Sequence, residues 1–293
     1  MTGAPLAGVM VVSLAVNVPG PVAVFRLREF GARVTKVEPP GGDPLRRSAS
    51  AWYDELHEEV EVIRLDLKDP EERSGLEGLL ATADLLLTSS RPAALQRLGL
   101  GWRELHERHP HLSQVAIVGH PAPDEDRPGH DLTYLAEHGL LEPEGGPAGA
   151  LPKMPRTLAA DLTGAERAAS AALGLLLARE RGGERGGECN GGPGYAEVSL
   201  VAAAGSLAAP LRHGLTEPGG VLGGGLPQYG VYETAAGRVA LAALEPHFAD
   251  RLQEELGLKE VSREKLESIF RSAPAAEWEE WAAARDLPLV ALR

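Results

Sequence analysis

Short apolar runs alternate with amphipathic stretches along the first two-thirds of the chain. The stretches between the apolar runs predict helices at residues 19–30, 70–81, 130–138, 162–180 and 200–213. The apolar runs predict buried strands at residues 9–14, 33–38, 62–67, 83–88, 112–118 and 195–199. This alternation is typical of a doubly wound, Rossmann-like α/β domain, which binds ligands beyond the carboxyl ends of its strands. We therefore expect a cleft near Glu38, Thr88 and Val118.

The last third of the chain has a different pattern. Residues 214–225 are rich in glycine and predict a hinge, so we expect a large domain over residues 1–213 and a small α+β domain over residues 226–293. In the small domain, residues 229–234 and 238–243 predict a hairpin, and helical patterns begin at Pro246, Ser262 and Pro274. A second Gly-rich stretch, residues 182–194, predicts a loop.

Composition narrows the class of protein. Lys and Arg number 29 and Asp and Glu 42, a net charge of −13 that argues against nucleic acid and anionic membranes as partners. A single cysteine, Cys189, excludes an internal disulfide framework and fits a reducing compartment; we expect a surface thiol. The apolar run 9–16 lacks the basic flank of a signal peptide, and no apolar stretch reaches transmembrane length. These features predict a cytoplasmic enzyme.

Three proton-carrying groups lie at the ends of predicted elements: His130, Asp161 and Glu233. A His and an Asp on opposite sides of one carbon can remove a proton from one face and return it to the other, as a racemase does beside an activated carbonyl. Spacing alone leaves other interpretations open. His130 can be a helix-start histidine, Asp161 an N-cap and Glu233 a hairpin residue.

Several motifs are shared with one enzyme family. In chain order they are Pro5-Leu-Ala-Gly-Val-Met-Val-Val-Ser-Leu14, Pro19-Gly-Pro21, Phe30-Gly-Ala-Arg-Val-Thr-Lys-Val-Glu-Pro-Pro-Gly-Gly-Asp-Pro44, Leu65-Asp-Leu-Lys-Asp-Pro70, Arg91-Pro92, Leu95-Gln-Arg-Leu-Gly-Leu-Gly101 and Ala242-Ala-Leu-Glu-Pro-His-Phe248. Over most of residues 4–290 the chain thus resembles the family III CoA-transferase (CaiB/BaiF) superfamily, and within it the α-methylacyl-CoA racemases.

The resemblance implies roles for particular residues. Transferases of this family usually have Gly-Tyr-Asp where this chain has Gly129-His130-Asp131, and the His marks the racemases. Asp161 and Glu233 fall on the other racemase positions. Under this hypothesis His130 and Asp161 exchange the roles of base and acid, Glu233 orients the imidazole, and Asp131 is a helix-start carboxylate. The family also implies an interlocked homodimer whose active site lies between the large domain of one subunit and the small domain of the other.

Coenzyme A is expected as part of the substrate, with no permanently bound cofactor and no metal. The resemblance places its contacts at Lys36, Arg46, Arg64 and Arg91. Relatives carry a basic segment before the Leu-Asp-Leu-Lys motif, whereas residues 54–61 here hold five acids and no Lys or Arg, which should weaken CoA binding. The alternative is a solvated acidic loop beside a site rebuilt from Arg46, Arg47, Lys68 and Arg91.

Two further departures point the same way. The family's Gly-Phe-Gly-Gln or Gly-Tyr-Gly-Gln turn is Gly119-His-Pro-Ala122 here, and its Arg-Pro-Gly is Arg91-Pro-Ala93. Relatives also continue beyond the position of Arg293 and return to the large domain, so we expect a looser interlock. Three hypotheses follow: a racemase or epimerase acting on acyl-CoA, a CoA-transferase with Asp131 as nucleophile, and a repurposed relative that is non-catalytic or acts without CoA.

Overall fold

The computed structural model describes residues 3–141, 151–184 and 193–293. The chain divides into two compact units, Met1–Leu207 and Ala208–Arg293. Cys189 and most of the predicted Gly-rich loop 182–194 lie outside the described residues. Within the described part, no helix is long and apolar enough to span a membrane.

A parallel sheet forms the centre of the first unit. Its strand order is 3-2-1-4-5-6, and every neighbouring pair is parallel. The strands that the structure describes here are β1 (Met10–Ser13), β2 (Arg33–Glu38), β3 (Glu61–Arg64), β4 (Leu85–Thr88), β5 (Ser113–Val118) and β6 (Tyr195–Ser199). Each coincides with a predicted apolar run to within a few residues, so the predicted α/β class with a doubly wound sheet is confirmed.

Helices cover both faces of this sheet. The described helices are α1 (Pro19–Glu29), α2 (Pro44–Ser48), α3 (Ser50–Leu56), α4 (Pro70–Leu80), α5 (Pro92–Arg97), α6 (Trp102–Arg108), α7 (Asp131–Glu137), α8 (Ala159–Glu184) and α9 (Leu200–Leu207). On one face, α1 and the alanine-rich α8 pack against Leu85, Leu87 and Val115. On the other, α4, α5 and α6 pack against Val12 and Leu86. Alternate residues of β1 and β4 thus enter different cores.

Two helix boundaries differ from the prediction. Helix α8 begins at Ala159 rather than Leu162, so Asp161 lies in its first turn and not at its N-cap. The predicted helix 200–213 is interrupted at Ala208, after which α10 (Ala209–Arg212) begins. The interruption has a local cause, because Pro210 lacks the N–H that would continue the hydrogen-bond ladder of α9.

The second unit is built on an antiparallel sheet with the order β7-β8-β9. Its strands are β7 (Tyr229–Glu233), β8 (Arg238–Ala242) and β9 (Leu289–Ala291), and its remaining helices are α11 (Pro246–Glu255), α12 (Arg263–Phe270) and α13 (Ala275–Ala283). The inner face buries Tyr232, Phe270 and Trp278 in one core. Val231 and Val290, in register with Ala240 between them, lie on the outer face, and each is 54% exposed.

The Gly-rich segment 214–225 belongs to this unit and folds back on itself. The N–H of Leu222 donates to the carbonyl of Leu215 at 2.8 Å. A Cβ on Gly223 would lie 1.8 Å from the carbonyl oxygen of Glu217. Only glycine permits so close an approach of two backbone segments, which accounts for the composition of this segment.

Candidate active site

A cavity of about 260 Å³ lies beyond the carboxyl ends of β1, β4 and β5. Strand order reverses between β1 and β4, the point at which doubly wound sheets bind their ligands. The side chains on its wall that carry polar or ionisable groups are Asn17, Ser89, Arg91, Glu125, Arg127, His130, Tyr134 and Asp161. Two predicted catalytic residues, His130 and Asp161, and one predicted CoA contact, Arg91, therefore share one cavity.

His130 is the N-cap residue of α7. Its backbone N–H donates to the Thr133 hydroxyl at 3.0 Å, and that hydroxyl donates to the His130 carbonyl at 2.8 Å. The two bonds fix the backbone where the helix begins. The side chain of His130 is exposed and lines the cavity, so a ligand there can reach its imidazole.

The neighbouring carboxylate, Asp131, is only 5% exposed and does not line the cavity. Its Oδ1 accepts the N–H groups of Ala160 at 2.7 Å and of Asp161 at 3.0 Å. These N–H groups belong to the first turn of α8, which has no carbonyl of its own for them. Asp131 therefore joins the start of α7 to the start of α8.

Asp161 projects into the cavity from the first turn of α8. Burial, and secondarily the charge of Asp131, raises the pKa of its carboxyl from 3.8 to about 7. The helix start does not offset this effect with hydrogen bonds, because Asp131 already accepts the N–H groups of Ala160 and Asp161. At neutral pH, Asp161 is thus poised to give or to take a proton.

Tyr134 is a cavity residue that the sequence analysis did not single out. It is buried, and Gly129 lies so close that a Cβ there would be 2.4 Å from the tyrosine ring. Burial, followed by the charges of Asp161 and Glu137, raises the pKa of Tyr134 to about 12 although Arg91 opposes the shift. The hydroxyl therefore remains protonated and can donate a hydrogen bond. Its position one helical turn after His130 was the available sequence signal.

The four expected CoA contacts fall into two groups. Arg46, Arg64 and Arg91 are exposed. Lys36 is fully buried and forms ion pairs with Asp43 and Glu38, so its ammonium is not open to a phosphate. The sequence analysis expected Lys36 to contact CoA. Its ion pairs with Asp43 and Glu38, which form only in the folded chain, account for the difference.

The acidic stretch 54–61 spans the end of α3 and the start of β3. Its carboxylates are exposed, namely those of Asp54, Glu55, Glu58, Glu59 and Glu61. Leu56 and His57 are buried between them. The acidic side chains are therefore solvated, whereas α3, which carries Asp54 and Glu55, packs against α1 and α2.

A second cavity of about 220 Å³ adjoins the first, because Val16 lines both. It lies beyond the ends of β1 and β2, and its wall includes Glu38, Pro39, Ser90 and the exposed Lys68. The two adjoining cavities suit an elongated ligand that extends along the carboxyl edge of the sheet.

Glu233 is placed elsewhere, at the end of β7 in the second unit. Its side chain is 64% exposed, and its carboxylate lies 3.7 Å from the guanidinium of Arg238 on the adjacent strand. The first unit therefore brings His130 and Asp161 together without it.

Comparisons with known proteins agree with this architecture. The human α-methylacyl-CoA racemase is 31% identical over 301 residues, which cover 93% of this chain and 74% of that protein. The succinyl-CoA–D-citramalate CoA-transferase of Chloroflexus aurantiacus is 33% identical over 193 residues. That match covers 61% of this chain and 47% of the transferase, so it spans about half of that relative's length.

A solved structure is also similar over nearly the whole chain. The orthorhombic form of Rv3272 from Mycobacterium tuberculosis is 26% identical with a TM-score of 0.83, covering 99% of this chain and 83% of that one. The sequence model named CoA-transferase family III matches residues 6–291. The extent of this match, together with the 31% identity to the human racemase over 93% of the chain, shows that the chain belongs to CoA-transferase family III.

Proposed function

We propose that the protein changes the configuration at the carbon α to an acyl-CoA thioester by two-base proton transfer. The observation that carries the proposal is the meeting of His130 and Asp161 on the wall of one cavity at the switch point of the sheet. An ionisable carboxyl with a pKa near 7 beside an imidazole is the pair that such a reaction requires.

In one direction the His130 imidazole takes the α-proton and the Asp161 carboxyl delivers a proton to the opposite face. In the other direction the two groups exchange roles, so the pair holds one proton in both directions. The enolate oxygen that forms between these steps needs hydrogen-bond donors. The protonated hydroxyl of Tyr134, on the wall of the cavity, is the donor that we assign to it.

The remaining expectations complete the proposal. The protein acts as a homodimer, in which Glu233 of the partner subunit orients the His130 imidazole. The exposed Arg46, Arg64 and Arg91 contact the CoA phosphates, and the two adjoining cavities accommodate the elongated thioester. Asp131 has no chemical step to perform and holds the two helix starts together.

The test is proton NMR in heavy water with one enantiomer of 2-methylbutanoyl-CoA. The wild-type protein should exchange the α-proton for deuterium as configuration is lost. His130→Ala and Asp161→Ala should each lower the racemisation rate by about two to four orders of magnitude. His247→Ala, which removes an exposed histidine of the second unit, is the control and should leave the rate unchanged. Full activity of either active-site variant contradicts the two-base mechanism.

A CoA-transferase is the second candidate, because several relatives are transferases. For that reaction we propose Asp161 rather than Asp131 as the nucleophile, since only Asp161 lines the cavity. Its carboxylate would attack the thioester carbonyl and expel the CoA thiolate, leaving an acyl anhydride. Hydroxylamine should then trap the acyl group as a hydroxamate. Under this candidate, His130→Ala retains acyl transfer and Asp161→Ala loses it, whereas racemisation requires both residues.

A further inference from the structure

A buried ionic cluster, to which neither proposed reaction gives a chemical step, lies behind the wall of the first cavity at Asn17. Its members are Lys36, Glu38, Asp43, Tyr53 and His57, all at most 7% exposed. We propose that Asp43 and Lys36 are positioning residues that hold Asn17 so that its side-chain amide contacts the acyl group of the ligand. The inference rests on the proposed function only in taking an acyl-CoA as that ligand.

Asn17 lies in the loop between β1 and α1, and its exposed side chain lines the cavity. Its backbone φ is +65°, in the left-handed region that non-glycine residues rarely adopt and that asparagine tolerates best. The N–H of Asn17 donates to Asp43 Oδ1 at 3.0 Å. The same oxygen accepts the N–H of Leu45 at 2.9 Å, so Asp43 joins this loop to the start of α2.

Lys36 keeps the Asp43 carboxylate in place. Its ammonium has three N–H donors, and three acceptors surround it. It donates a short hydrogen bond to Asp43 Oδ2, lies 3.0 Å from His57 Nε2 and lies 3.5 Å from Glu38 Oε1. Both charges are buried, so moving either the Lys36 ammonium or the Asp43 carboxylate would leave the other without its partner in the protein interior, which is costly.

The histidine and tyrosine of the cluster fix this arrangement further. His57 Nδ1 lies 2.6 Å from the Tyr53 carbonyl, which can only accept, so Nδ1 carries the proton and Nε2 accepts from Lys36. The Tyr53 hydroxyl donates a short hydrogen bond to Glu38. The position of Asp43 is therefore determined by the packed interior and not by solvent-exposed side chains.

The fixed position of Asp43 determines where Asn17 lies in the cavity wall. Ser89 holds the preceding residue, since its hydroxyl accepts the N–H of Val16 at 2.9 Å. With Val16 and Asn17 both fixed through their backbones, the Asn17 side chain projects from a rigid loop beside His130 and Asp161. An amide offers both a donor and an acceptor, which suits the thioester carbonyl or a polar group on the acyl chain.

The test is calorimetric binding of 2-methylbutanoyl-CoA and of free CoA. Asn17→Gly preserves the left-handed backbone and removes the amide, so we expect acyl-CoA binding to weaken about tenfold while CoA binding is unchanged. Asp43→Asn should weaken acyl-CoA binding similarly and speed hydrogen exchange at the Asn17 N–H. In the Asn17→Gly background, Asp43→Asn should have little further effect on binding, because it acts through Asn17.

Asp69→Asn is the matched control. Asp69 also precedes a proline and accepts N–H bonds at a helix start, those of Glu71 and Glu72, but it does not line either cavity. It should leave ligand binding unchanged. If Asn17→Gly binds the acyl-CoA as tightly as wild type, or if the losses of Asn17→Gly and Asp43→Asn add in the double variant, the inference is overturned and the proposed function is not. Binding without turnover overturns the proposed function alone, and the absence of acyl-CoA binding by the wild type overturns both.

Discussion

Replacing Asp161 with asparagine should stabilise the protein at alkaline pH while it abolishes activity. The carboxyl pKa rises from 3.8 to about 7 on folding because burial and the charge of Asp131 disfavour the ionised form. The stability associated with this group is therefore greatest below pH 4. It is lost as the pH rises from 4 towards 7, while the unfolded chain is ionised and the folded protein is not.

The magnitude follows from the size of the shift. Each pKa unit corresponds to about 1.4 kcal/mol, so the ionised carboxylate costs the folded protein at most about 4 kcal/mol above pH 7. Part of that cost is already present at pH 5, and the increase from pH 5 to pH 8 amounts to about 2–3 kcal/mol at most. Asparagine is neutral at every pH and avoids the cost.

Urea unfolding, followed by circular dichroism from pH 5 to pH 8.5, measures this difference. The stability gain of Asp161→Asn over wild type should grow with pH and level off above pH 8. Asp126→Asn, at an exposed carboxylate of the loop before α7, is the control and should show no such growth. A gain that is constant with pH, or a variant less stable than wild type at pH 8, would refute the reasoning.

Three further expectations concern other parts of the molecule. Asp131→Ala leaves two N–H groups of α8 without an acceptor, so it should lower the free energy of unfolding by about 1–3 kcal/mol in urea titrations, and unchanged stability would contradict its joining role. Sedimentation equilibrium at micromolar protein should give twice the 30.9 kDa monomer mass, and a monomer alone would contradict the homodimer. Arg46→Ala should weaken CoA binding in calorimetry. The affinity of the wild type for CoA should fall as salt rises, because exposed charges are screened. A salt-insensitive, low-nanomolar affinity would show that the acidic stretch 54–61 has no effect.

Periodicity predicted the sheet because its four inner strands, β1, β2, β4 and β5, are buried along most of their length. It did not predict β9, which has only three residues. The short helices α2, α3, α5 and α6 were also missed, since each is too brief to show a clear helical period.

The candidate site was only partly predictable from the sequence. His130 and Asp161 were singled out by their chemistry and their places at predicted helix starts, and the family resemblance gave them their catalytic roles. Lys36 was expected to contact CoA because of the family resemblance. Its acceptors, Asp43 and His57, approach it only in the folded chain. The raised pKa of Asp161 likewise depends on burial that no local pattern encodes.

The hydrogen bonds from the start of α8 to Asp131 have a consequence for how such an enzyme evolves. The carboxylate next to His130 accepts the backbone N–H groups of Ala160 and Asp161, so two hydrogen bonds hold the start of α7 against the start of α8. Substitutions elsewhere in the molecule can therefore reshape the cavity wall while these two bonds keep the two helix starts together.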